Sequence, residues 1–355
     1  MASLVTASDA FMLGFLDQDS LSASSLAGQT AFVFSLFYGA FVFGLNVLAA
    51  QYWGKGDLKT AEEVLAITLS VVVNIVLNAC LIFGLAFFPK MGIRGAALAT
   101  VLARLFETVF VLTVVARKKC PPLHIKMMIH SENKNLHKDY WHYTVPLLIN
   151  QIGWGGGVTM YSVIMGHLGS DATAANSIAS IVRSMIASFC WGISAGVGII
   201  TGGMPGRGEL EKAKKAGGSF VRFSIVTGIA SGIVILAFTP LILHIIHLEP
   251  QAQYYLKFMM LMAAYYIIGN SLNSTIISGI FPAGGDTKFG MWCDLITLWC
   301  VVVPLGMTGA FLFKLPVLAV AFILTLDEFV KIPAVYRHYK KYQWVKNITK
   351  TSTTQ

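Results

Sequence analysis

The sequence predicts an all-α polytopic membrane protein: two pseudo-symmetric helical lobes with about ten transmembrane helices, about four in the first lobe and six in the second. Three observations lead there. The composition is 55% hydrophobic and only 12% charged, against about 25% charged in an ordinary globular domain, and the mean hydropathy is +0.68. Apolar runs long enough to cross a bilayer recur along all 355 residues. The chain also matches itself, without gaps, at a shift of about 152 positions.

In order, the apolar runs are residues 2–16, 28–50, 64–88, 92–116, 143–166, 176–198, 220–246, 256–281, 291–313 and 316–336. Runs of this length read as helices, because a barrel strand needs only about ten alternating residues. Basic residues gather in alternate loops: Arg117, Lys118, Lys119, Lys126, Lys134 and Lys138; then Arg207, Lys212, Lys214, Lys215 and Arg222; then Arg337, Lys340, Lys341, Lys346 and Lys350. The positive-inside rule makes that side cytoplasmic, with both termini on it. The net charge of +9 is thus a topology signal and not a nucleic-acid footprint.

Other classes fall away on composition. The five cysteines are odd in number, scattered and form no CxxC pair, so neither a zinc site nor a disulfide framework is expected. No GxxxxGK[ST] string provides an ATP site. The start of the chain has no basic flank and carries Asp9 in its apolar run, so no cleaved signal peptide is expected.

The repeat places Gly14-Phe-Leu16 on Gly166-His-Leu168, Asp19 on Asp171, and Gly54-Lys-Gly56-Asp-Leu58 on Gly206-Arg-Gly208-Glu-Leu210. Loop glycines and polar turn positions coincide, which shared membrane composition does not produce. The repeat is uneven. The stretch from Gly56 to Gly92 is roughly 72 residues shorter than its counterpart from Gly208 to Pro316, about two spans with their loops. The domain reading is therefore an incomplete first lobe over 1–120, a basic inter-lobe loop over 121–142, a six-span lobe over 143–342 and a tail over 343–355.

Parallel six-helix repeats are a transporter architecture, and particular strings sharpen the likeness. Asp9-Ala-Phe-Met-Leu-Gly14, Ala50-Gln-Tyr-Trp-Gly-Lys-Gly-Asp57 and Gly95-Ala-Ala-Leu-Ala-Thr100 resemble the multidrug and toxic compound extrusion (MATE) family. So do Met165-Gly-His-Leu-Gly-Ser-Asp171, Ala283-Gly-Gly-Asp286 and Leu326-Asp-Glu328. The resemblance covers nearly the whole chain. It implies twelve helices in two lobes of six, of which this chain lacks the third and fourth, with a seam near Leu69-Ser70, and part of the first.

A carboxylate inside a bilayer costs roughly 2.5–3.5 kcal/mol at a helix centre, so intramembrane acids are functional candidates. Asp9 is the first of these. Asn74 and Asn78 share a helix face, and Thr100 on the next span adds a further oxygen. The resemblance implies that these four form a proton or sodium site, with sodium held at Asp9, Asn74 and Asn78. An interhelical hydrogen-bond role fits the asparagine pair equally well.

The second lobe offers cavity candidates in Gln151, Asn270, Asn273, Asp294 and Asp327, with Ser274 and Thr275 beside them. Relatives commonly carry Glu where Gln151 stands, and some use an Asp on the helix of Asn270 that has no counterpart here. Gln151 is followed by a Gly153-Trp-Gly-Gly-Gly157 stretch that reads as flexible. Pairs at helical spacing are expected between Arg104 and Glu107 and between Asp327 and Lys331, while Asp294 has no partner in sequence. Arg183 is expected to snorkel to the interface.

The resemblance implies a cation-coupled antiporter, driven by protons or sodium, that exports organic cations or drugs across the cell membrane by alternating access. It implies no covalent chemistry, and so no enzyme, and no cofactor beyond the coupling ion. Two other classes fit the same residues: a non-transporting remnant or interaction protein, and a lipid or precursor flippase. Pairing of two chains to complete the shortened lobe is a further open alternative.

Overall fold

The computed structural model describes residue 109 and residues 134–246 and 248–346. Residues 138–346 fall in one of the two compact units into which the chain divides. Of the expected first lobe only Val109 is described, so Asp9, Asn74, Asn78, Thr100 and the Arg104–Glu107 pair lie outside the described residues.

The described residues are helical and contain no strand. Helix α1 runs over Lys134–His167, α2 over Ser170–Gly206 and α3 over Leu210–Ile245. Helix α4, Pro250–Asn273, continues without a break through a π-helical stretch at Ser274–Ile280 and a last turn at Phe281–Ala283. Helix α5 begins at Thr287–Leu295 and alternates π and α turns as far as Leu312. The final passage is split into α6, Val317–Leu324, and α7, Asp327–Lys340. Prolines start α4 and precede α6, where a missing N–H costs nothing. Gly208, at φ +82°, turns the chain from α2 into α3.

Three of these segments, Ser170–Gly206, Leu210–Ile245 and Thr287–Leu312, are long and apolar enough to cross a membrane. Their surfaces run opposite to those of a water-soluble protein. Phe189, Ile233 and Leu312 are 64%, 61% and 72% exposed, whereas Asp327, Glu328 and Lys331 are 2%, 2% and 5% exposed. Apolar side chains facing outward around buried polar groups is the distribution that lipid as a solvent selects.

Small residues set how closely the helices approach. At Gly232 an added Cβ would press on the Ala264 carbonyl, and at Gly228 it would meet the backbone of Ile268, so α3 and α4 touch backbone to backbone. Ser271 Oγ donates to the Ser224 carbonyl at 2.8 Å across this seam. On the α2 side, Ser194 Oγ donates to the Ser274 carbonyl at the start of the π stretch.

The glycine run after Gln151 differs from the flexible segment expected of it. Gly153 and Gly157 lie inside α1, where a Cβ would collide with Leu295 and Leu298 of α5. Trp299 Nε1 donates to the Gly153 carbonyl at 3.0 Å. The run is a packing surface, and the i, i+4 spacing of Gly153 and Gly157 places both on one helix face.

Candidate functional site

The chemistry of the described unit concentrates where α1, α4, α5 and α7 meet. Tyr266, Asn270 and Asn273 stand at i, i+4 and i+7 on α4 and so form one stripe. The stripe faces Glu328 of α7. Tyr266 OH donates to Glu328 Oε1 at 3.3 Å, Asn270 Nδ2 to Oε1 at 3.0 Å and Asn273 Nδ2 to Oε2 at 2.8 Å. Asn273 Nδ2 also donates to the Glu328 carbonyl at 2.6 Å. A Cβ at Gly269 would meet Glu328 Cβ, so this glycine lets α7 lie close enough for the bonds to form.

Lys331, one turn beyond Glu328, bridges two carboxylates: Glu328 Oε2 at 3.1 Å and Asp294 Oδ1 of α5 at 2.9 Å. The other Asp294 oxygen accepts from Asn150 Nδ2 of α1 at 3.0 Å. Asp294 therefore has two partners, on helices 37 and 144 residues away in sequence. Lys331 bonds to Glu328 at i−3 and to Asp294, and not to Asp327 at the spacing expected. Asp327 stands next to Glu328 at the start of α7, 2% exposed, and its Oδ1 has no hydrogen-bond partner.

Three buried carboxylates thus lie around one lysine that pairs with two of them. Glu328 and Asp294 are satisfied by charge-assisted bonds, whereas Asp327 is not. Two further acceptors are idle: Asn270 and Asn273 each spend Nδ2 on Glu328 and leave a buried Oδ1 without a donor. Gln151 is half-buried, and no hydrogen bond joins it to the cluster among the described residues.

Next to the cluster the unit holds a cavity of about 140 Å³. It is bounded by α1, α2, α4, α6 and Thr325 in the break between α6 and α7. Arg183 lines this cavity, with its guanidinium 5.0 Å from the centre of the Tyr266 ring. The ring that carries Arg183 on its face donates its hydroxyl to Glu328, so Tyr266 belongs to both features. Of the five second-lobe candidates, Asn270, Asn273, Asp294 and Asp327 gather in the cluster and none lines the cavity. Sequence reasoning missed Tyr161 and Tyr266 and gave Arg183 no part in a site; the signal available for Tyr266 was the 266, 270, 273 periodicity.

Outside the apolar segments, Glu209 precedes α3, and its hydrogen bond from Lys212 holds its carboxyl below the usual range. At the far end of α7, His338 Nε2 lies 2.6 Å from Asp286 Oδ2, with its ring stacked on Phe289.

The MatE family model matches residues 146–308, which run from α1 into α5. A probable multidrug resistance protein, YoeA of Bacillus subtilis, is 28% identical over 302 residues, covering 84% of this chain and 64% of that protein. A probable multidrug resistance protein, NorM of Thermotoga maritima, is 26% identical over 77% of this chain and 58% of its own length. The chain therefore spans about six-tenths of the length of these curated relatives. A crystal structure of MATE in the straight conformation superposes with a TM-score of 0.79 at 14% identity, covering 96% of this chain and 92% of that one. The strings read from the sequence, the helical architecture and these matches agree in one likeness, to the MATE family.

Proposed function

We propose that the chain is a cation-coupled antiporter, driven by protons or sodium, that exports drug-like organic molecules, organic cations among them, across the cell membrane by alternating access. One observation carries the reading. Among the described residues Lys331 bridges Asp294 and Glu328 and leaves a third buried carboxylate, Asp327, without an ion pair, amid helices whose outer surfaces are apolar. An unbalanced buried charge is costly and has no use in a passive membrane anchor. It suits a site that a cation enters and leaves, and an ion can shift a conformational equilibrium only through its different affinity for the two states.

The coupling ion binds at Asp9 with Asn74, Asn78 and Thr100, the set implied by the family resemblance. Both termini and the 121–142 loop face the cytoplasm, in keeping with their basic residues. The test is efflux of a fluorescent organic cation from liposomes holding the purified chain under an imposed proton or sodium gradient. Gradient-dependent efflux is expected, lost in Asp9→Asn and tolerant of Gln151→Glu. Efflux that ignores both gradients, or none at all, overturns the reading.

A further inference from the structure

The cavity beside the ion cluster differs from the cluster in sign. Asn176, Ser180, Arg183 and Ser184 stand at i, i+4, i+7 and i+8 along α2, so one helix face presents all four to the cavity. Arg183 is the one charged side chain among the described lining residues, which include no carboxylate. Its guanidinium rests on Tyr266 and makes no hydrogen bond or ion pair among the described residues. Asn176 makes no hydrogen bond among them either, and the buried hydroxyl of Tyr161, opposite on α1, has no partner. Arg183, Asn176 and Tyr161 thus bring unengaged donors to this cavity, whereas the Ser180, Ser162 and Thr325 hydroxyls donate to carbonyls of their own helices.

The carboxylates that lie within electrostatic range of this region do not engage them. Glu328 is taken up by Tyr266, Asn270, Asn273 and Lys331. Asp327 is 2% exposed and forms no ion pair with Arg183. The contact with the Tyr266 ring places the guanidinium at the cavity wall, and its planar fork suits two-point recognition of a carboxylate.

The remaining lining sets the body of the ligand. Met165 of α1 and Met259 and Met262 of α4 supply polarisable thioethers, which contact aromatic ring edges favourably. A cavity of about 140 Å³ matches the roughly 150 Å³ that accommodates benzene in an apolar interior.

We propose that this cavity is a binding site for a single-ring aromatic carboxylate, free or as the head of a larger amphiphile, with Arg183 as the residue that selects the negative charge. The inference rests on the export reading only for what becomes of the bound molecule; binding itself needs no gradient.

The test is equilibrium dialysis of the purified full chain in detergent against radiolabelled benzoate and, separately, benzylamine, which is a cation at neutral pH with the same ring. Saturable binding of one benzoate per chain is expected, with benzylammonium at least tenfold weaker. Arg183→Gln should weaken benzoate at least tenfold and leave benzylammonium unweakened. Ser184→Leu, which fills the cavity from its rim and keeps the guanidinium, should also lose benzoate. Equal or reversed preference between the two probes overturns the proposal, as does benzoate binding that survives Arg183→Gln. Should Arg183→Gln lose its cooperative thermal transition, Ser184→Leu decides alone, and unchanged benzoate binding there overturns it. Intact benzoate binding without any efflux would sink the export reading and leave this site standing; efflux without benzoate binding would do the reverse.

Discussion

Helix α4 meets its neighbours on two sides by opposite means. Toward α3 it offers backbone: Gly228 and Gly232 bring that helix so close that Ile268 and Ala264 would clash with a Cβ, and Ser271 adds one hydrogen bond. Toward α7 it offers side chains, with Tyr266, Asn270 and Asn273 spread along one stripe to hold Glu328. The first seam is made of dispersion contacts that tolerate no added volume. The second is made of charge-assisted bonds, and its stability depends on each charge keeping its partners. A seam of the first kind fails when something is added, and a seam of the second kind fails when something is taken away.

That difference ranks the expected effects. Lys331→Met should be the most damaging, because it strands Asp294 and Glu328 together. Removing one partner of a buried pair costs about 3–5 kcal/mol, read as a drop in the midpoint of thermal unfolding in detergent. Combining it with Asp294→Asn and Glu328→Gln should recover most of the loss; failure to recover would mean that Lys331 acts through packing. Gly232→Leu should cost about 1–3 kcal/mol by overpacking and should lower activity and midpoint together. An unchanged midpoint there would show that α3 and α4 can separate without penalty. Ser194→Ala removes a neutral hydrogen bond to the π stretch, and such bonds average about 0.6 kcal/mol in membrane proteins, so its effect should sit near the limit of a careful thermal scan.

The smallest effect is expected at Glu209. Its carboxyl titrates below the usual range because of Lys212, so the stabilisation is present above the ordinary glutamate pKa and fades as pH falls through the lowered value. The side chains are exposed, and solvent screening keeps the contribution slight. Glu209→Gln should therefore match the parent at low pH and differ only marginally at neutral pH. A large difference in the opposite sense would show that Glu209 has a partner in another conformation.

The sequence made the helices and their membrane character legible, because composition and run length report directly on lipid as a solvent. It also marked Asn270, Asn273, Asp294 and Asp327 as out of place in an apolar chain. It could not pair them. Asp294 finds Lys331 on α7 and Asn150 on α1, and separations of 37 and 144 residues carry no periodic signal. The local rule that links residues one helical turn apart favoured Asp327 for Lys331 as readily as Glu328, and only the approach of α4 and α5 decides between them. The glycine run after Gln151 misled for a related reason. Glycine reads as flexibility in a chain considered alone, whereas against Leu295, Leu298 and Trp299 it reads as room for a neighbour.

The cluster also has a mechanical consequence. Glu328 is gripped by three donors placed along two turns of α4, and Lys331 ties the same part of α7 to α5, which Asn150 ties in turn to α1. Advancing α7 by one residue would swing its side chains through about 100° and uncouple every one of these bonds at once. Sliding one rod past another inside this unit is therefore the stiffest available motion. Whatever movement accompanies its work, the four helices should travel as a single lever, with the strain borne at their ends.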